Sequence, residues 1–143
     1  MQNFNRNYNQ RKALFKSQLQ SLITWGKLTT TQPKAKVIKR LFDKLVTAAS
    51  KGTVSARRLL AGKLSSQEHA DRLVDVIAPL LSDRKSGFTT IQKTSVRRGD
   101  AVVMSTLKLV KDLPVIEEVA KEKKVKAVIP AKAGIQTKVK KAK

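Results

Sequence analysis

The side chains able to do chemistry fall into two unequal sets. His69 is the only histidine, cysteine is absent, and ten Asp and Glu are scattered along 143 residues. A catalytic histidine acts on a nucleophile or beside an orienting carboxylate, and a metal site draws on several ligands at once. His69 has only the sequence neighbours Glu68 and Asp71 within one predicted helix, so a structural role at or near the surface is expected. The acids show no paired spacing of the kind that holds nuclease metals or cleaves glycosides. No glycine-rich loop offers a phosphate cradle of the nucleotide-binding kind. These absences speak against an enzyme, and no cofactor, metal or small-molecule substrate is expected.

The other set is cationic. Thirty-one Lys and Arg give a net charge of +21. Like charges at that density repel one another in a compact state, so a polyanion is expected to screen them. The commonest polyanion is nucleic acid, and an anionic membrane surface is the alternative. In TTTQPKAKVIKR, residues 29–40, Lys34, Lys36, Lys39 and Arg40 gather without a single acid. Arg6 and Arg11 continue the excess near the N-terminus, Arg57 and Arg58 on a short helix, and Arg97 and Arg98 at a predicted turn. Cations spread over several surfaces suit a protein embedded in folded RNA better than one gripping a single duplex groove. These ten side chains are the candidate RNA contacts.

Three aromatics could add stacking on unpaired bases, worth ~1–3 kcal/mol each. Trp25, at a helix end, is expected to pack on the core instead. Phe4 and Tyr8 lie in an Asn-rich stretch with no core to join, which leaves base stacking or an RNA-groove contact open. Arg98-Gly99-Asp100 matches a tripeptide of adhesion ligands, but at a turn its Gly and Asp serve backbone geometry.

The fold expected to carry these groups is α+β: about four helices packed with a small mixed sheet of about three short strands. Residues 1–10 are expected to form a basic N-terminal arm, 11–113 the folded α/β domain, and 114–143 a lysine-rich extension with nine Lys against three Glu. A first helix over 11–25 has Phe15, Leu19, Leu22 and Ile23 near helical spacing and stops at Gly26. KLTTT, 27–31, suits a brief strand. Thr31 can cap the next helix, with Pro33 tolerated in its first turn. There Ile38, Leu41, Phe42, Leu45, Val46 and Ala49 make a buried stripe. Shorter helices follow over 54–61 and from Ser66 to Leu81, the second carrying three of the ten acids. After Gly87 the period turns to alternation, reading as a hairpin over 88–96 and 101–110 about the turn RRGD.

Taken in order, four stretches resemble the family of the seventeenth protein of the bacterial large ribosomal subunit. NRNYNQRKALFKSQLQSLI is similar to its opening helix, KLTTTQPKAKVIKRLFDKLVTAASKG to its most specific motif, TVSARRLL to its paired-arginine helix, and GFTTIQKTSVRRGDAVVMSTLKLV to its closing hairpin. The resemblance implies helices around a small sheet, binding to large-subunit (23S-type) ribosomal RNA near the nascent-chain tunnel exit, and contact with neighbouring ribosomal proteins. Members carry a longer basic arm ahead of the Asn-Arg-Asn step, where this sequence has residues 1–4. The extension from 114 matches nothing in that pattern; a role in RNA binding is expected for it, the alternative being a disordered segment with no essential role.

Three rivals are weaker. A nucleoid-type architectural DNA-binding protein would show a dimerising stripe or a groove-entering arm. A peripheral membrane protein needs aromatics opposite lysines on one helix, and an RNA-modifying enzyme needs catalytic residues. No apolar run approaches the ~20 residues of a membrane span, and the first residues lack the apolar centre of a secretory signal. A soluble chain in the cytoplasm, within the ribosome, is therefore expected.

Overall fold

In the computed structural model, which describes residues 3–113, helix α1 occupies Tyr8–Trp25. It begins before residue 11 because Asn7 and Gln10 close its first turn, the Asn7 N–H donating to Gln10 Oε1 at 3.3 Å. It ends at Gly26, whose φ of 69° is a left-handed cap that a side chain would strain. The Gly26 N–H reaches back to the Leu22 carbonyl, and its own carbonyl accepts from Leu109 N–H. One residue thus ends the helix and starts the sheet.

Strand β1 (Lys27–Thr31) runs straight into α2 (Gln32–Ala49). Thr31 holds the cap position, yet its hydroxyl makes no capping bond. It is also the last residue of β1, paired with Met104, and Pro33 has already removed one donor that a cap would satisfy. Ala35, Ile38, Phe42, Leu45, Val46 and Ala49 are buried as the period requires, whereas Leu41 is only half-buried.

Helix α3 (Val54–Leu64) is capped by Thr53, whose Oγ1 accepts from Ala56 N–H at 3.2 Å. It passes the expected end at residue 61 because Leu60 and Leu64 both reach the core. Packing here outweighs the cost of an exposed Gly62. The last helical run opens as α4 (Gln67–Arg72), widens into a π turn over Leu73–Ile77 and closes with one turn, Ala78–Leu80. Pro79 explains the widening: it has no N–H for the Asp75 carbonyl, and its ring crowds that group. The π turn, in which Ala78 N–H bonds Leu73 O, makes room.

Strands β2 (Thr89–Val96) and β3 (Val103–Leu109) form the hairpin, and β1 joins the other edge of β3, giving the order β1-β3-β2. The α+β expectation is borne out, with one correction: the sheet is antiparallel throughout rather than mixed. A short turn forces β2 and β3 antiparallel, and an antiparallel β1 adds the more stable ladder. Thr94 is the extra residue of a bulge, its hydroxyl 2.8 Å from that of Thr106. Beyond Ile91 every residue of β2 is exposed, so the hairpin tip stands clear of the core.

One cluster joins the elements, with Phe42, Leu22, Ile38, Leu60, Leu73 and Leu107 fully buried in it. Two aromatics depart from expectation. Phe4 does find a core, packing edge-on against Phe15 with ring centroids 5.6 Å apart. Trp25 does not: it is 70 % exposed, because Gly26 turns the chain into β1 just as the α1 stripe runs out. The expected extension, 114–143, lies outside the described residues.

Candidate nucleic-acid interface

Helix α2 sets out the first cationic surface. Lys36, Arg40 and Lys44 recur every fourth residue, so they fall in one line on the face opposite the buried stripe. With Gln32, Pro33, Val37 and Leu41 they line an open groove of about 480 Å³. All three are exposed and none meets an acid among the described residues. Lys34 and Lys39 sit at the borders of the stripe, half-buried along their stems and likewise without an ion pair among the described residues. The α2 backbone makes this line rigid: the apolar stripe fastens the helix, and the cations follow from its pitch.

The seam between α3 and α4 is built differently. Arg57 Nη1 donates to Asp71 Oδ1 at 3.1 Å, and Nη2 to Asp75 Oδ1 at 2.5 Å. Those two carboxylates, Asp75 first, raise the Arg57 pKa above its ordinary value. Gln67 Nε2 donates to Asp71 as well, at 3.0 Å. The next residue, Arg58, points out to solvent.

At the hairpin tip Arg97 grips Asp100 through Nε at 3.1 Å and Nη2 at 2.5 Å. This fork, joined by the Val102 N–H at 3.4 Å, holds the Asp100 carboxyl at about 2. Gly99 takes a φ of 100°, so Arg98-Gly99-Asp100 is turn chemistry, as its position implies. Arg98 is exposed beside it. Near the end of the domain Lys111 pairs with Asp83 at 2.5 Å and holds that carboxyl below the usual range.

Near the N-terminus the arginines serve the fold. Arg11 Nη1 donates to Asn3 Oδ1 at 3.1 Å and to the Arg6 carbonyl at 3.2 Å, and Arg6 Nη1 to the Phe4 carbonyl at 3.1 Å. Their acceptors are neutral, so both charges stay unneutralised while their geometry is set.

His69 is a bridge between elements. Its Nδ1 lies 2.7 Å from Ser66 Oγ and its Nε2 3.2 Å from Thr24 Oγ1, which ties α4 to the end of α1. Both ring nitrogens are thus taken by hydroxyls, and no carboxylate among the described residues bonds to the ring to orient it as a catalytic base. Among the described residues no cluster of His, Asp and Glu could hold a metal ion, and no helix is long and apolar enough to cross a membrane.

A non-catalytic domain with acid-free cations on several faces matches one family along nearly its whole folded length. The family described as ribosomal protein L17 covers residues 14–110. The chain belongs to that family. Among its relatives, the protein named large ribosomal subunit protein bL17 in Campylobacter lari is 41% identical over 100 residues, 70% of this chain and 86% of its own. The protein of the same name in Dictyoglomus thermophilum is 43% identical over 101 residues, 71% of this chain and 87% of its own. That of Akkermansia muciniphila is 38% identical over 128 residues, 90% of this chain and 92% of its own. An alignment of that length cannot fit within 1–113, so it reaches into the lysine-rich extension. Membership makes this a structural, non-enzymatic ribosomal protein, and the resemblance read from four stretches of sequence holds.

Within this L17-family domain the ten candidate contacts divide. Lys36 and Arg40 share a groove with Lys44, which belongs to the line although it was not among the ten. Its signal was its spacing, eight residues from Lys36. Arg58 and Arg98 are exposed but stand apart, and Arg57 and Arg97 are held by carboxylates.

Proposed function

We propose that the chain is a structural constituent of the large ribosomal subunit that binds and bridges segments of large-subunit ribosomal RNA. The observation that carries this reading is the line Lys36, Arg40, Lys44, rigidly mounted and free of acids among the described residues. Phosphates supply the missing partners, and each one neutralised contributes roughly 0.7–0.9 to the salt slope of log affinity. Lys34, Lys39, Arg58 and Arg98 extend the contact to other surfaces. Arg6 and Arg11 brace the N-terminal turn while presenting charge. Arg57 and Arg97 can contribute only by sharing their carboxylates' claim. Residues 11–113 act as the folded RNA-binding unit and 114–143 as an added basic extension. The exposed Trp25 and Val96 offer surface to neighbouring large-subunit proteins. Family resemblance alone carries the further step, a place near the nascent-chain tunnel exit in cytoplasmic ribosomes.

Sedimentation tests the proposal. Tagged full-length chain is followed through a sucrose gradient of lysate, washed at moderate and then high salt. Co-migration with large subunits that survives moderate salt is the expected result. Migration with nucleoid DNA, or free at the top, overturns it.

A further inference from the structure

We propose that the groove between α1, α2 and α3 receives one unstacked nucleobase of RNA, whose flanking phosphates are held by the groove's cationic rim. This inference rests on the RNA-binding reading above and names a subsite within it.

The groove encloses about 300 Å³ and has an apolar floor made by Phe15, Leu19, Leu41 and Leu45. Tyr8, the first residue of α1, stands in its wall and is 69 % exposed. An aromatic left in solvent above a concave apolar floor is surface that the domain's own core does not use. Around it are Arg11, Lys12, Lys16, Lys44 and Lys63, drawn from three helices, with no acid among the lining residues. Arg11 bonds Asn3 and the Arg6 carbonyl, and Lys16 bonds the Ser65 hydroxyl. These acceptors are neutral, so the rim keeps its charge.

An apolar protein segment would fit the floor but leave that rim unpaired. An unpaired nucleotide answers both: its base has a π face for Tyr8 and the floor, and a phosphate stands on either side. Continuity adds a second reason. The groove along α2 shares Leu41 and Lys44 with this one, so a backbone tracking Lys36, Arg40 and Lys44 arrives at the mouth. The α2 line positions the strand, and the pocket reads out that a base is free to leave its stack.

The test uses large subunits reconstituted without the protein, with the full chain, and with Tyr8→Ala or Tyr8→Phe. Reagents specific for each base report base accessibility, and hydroxyl radicals report the backbone. With the full chain or Tyr8→Phe, an unpaired base that reacts in protein-free subunits becomes protected. Tyr8→Ala restores its reactivity and weakens binding to the subunit roughly 10-fold, with backbone protections unchanged. An identical base pattern for the full chain and Tyr8→Ala overturns the pocket. So does a photo-cross-link from position 8 to a neighbouring protein instead of RNA. In either case continued sedimentation with the subunit leaves the ribosomal role standing, whereas a chain that fails to sediment removes both.

Discussion

The outer face of α2 and the seam between α3 and α4 carry the same kind of side chain and put it to opposite use. On α2, Lys36, Arg40 and Lys44 line a groove with no carboxylate. On the seam, Arg57 holds Asp71 and Asp75 at once. Both faces rest on one core, and both would look merely basic if α2 or α3 were considered alone. What separates them is the neighbour: α4 and the π turn after it deliver Asp71 and Asp75 to Arg57, whereas the one acid of α2, Asp43, accepts from Phe88 N–H instead of meeting the cationic line. A cation's availability is set by what packs against its helix.

The largest effect should come from removing the support both regions share. Phe42→Ala empties a fully buried site and should destabilise the domain by about 3–5 kcal/mol, a large part of the ~5–15 kcal/mol typical of a whole domain. Thermal melting and RNA binding should fail together; loss of binding with an unchanged Tm would show that the α2 groove depends on something other than the core.

Next in size is the triple reversal K36E/R40E/K44E. Each change removes two positive charges, so +21 becomes +15. The salt slope of RNA binding should fall by about 2–3, while Tm at low salt holds or rises as self-repulsion eases. Filter binding across a salt series reads the slope, and an unchanged slope would remove α2 from the interface.

Arg57→Ala should do the reverse on a smaller scale. Tm should fall modestly, because Asp71 and Asp75 lose a shared partner, and the salt slope should stay. A drop in slope would make Arg57 an RNA contact and erase the distinction between the two faces.

The smallest effect belongs to the hairpin tip. Arg97 lowers the Asp100 pKa to about 2, below the ~3.9 of a free aspartate. A depressed carboxyl stabilises the fold above its unfolded pKa, and that contribution is lost as pH falls from about 4 through about 2. Acid titration followed by circular dichroism should show this component, and Asp100→Asn should abolish it.

Element types were legible because they follow from local periodicity. The Phe15-to-Ile23 and Ile38-to-Ala49 stripes can be buried only on helices, and alternation after Gly87 only on strands. Boundaries were less so. The start of α1 at Tyr8 depends on Gln10 reaching back to Asn7, and the run to Leu64 depends on a pocket for its side chain. Phe4 and Trp25 exchanged their expected places because neither lies within a stripe. Where such a residue packs is decided by elements distant in sequence. Among the cations, type and clustering could be read directly, but pairing could not: Asp71 and Asp75 reach Arg57 across 14 and 18 residues.

Side-chain identity and order fixed the charge, the lack of cysteine, the helices and strands, and the spacing that places Lys36, Arg40 and Lys44 in line. These follow from side-chain chemistry and from the 3.6-residue turn. Long-range packing settles which cations stay unpaired, where Tyr8 borders an apolar floor, and that β1 joins β3. Each of those depends on two segments far apart in the chain being brought together by burial of one shared core.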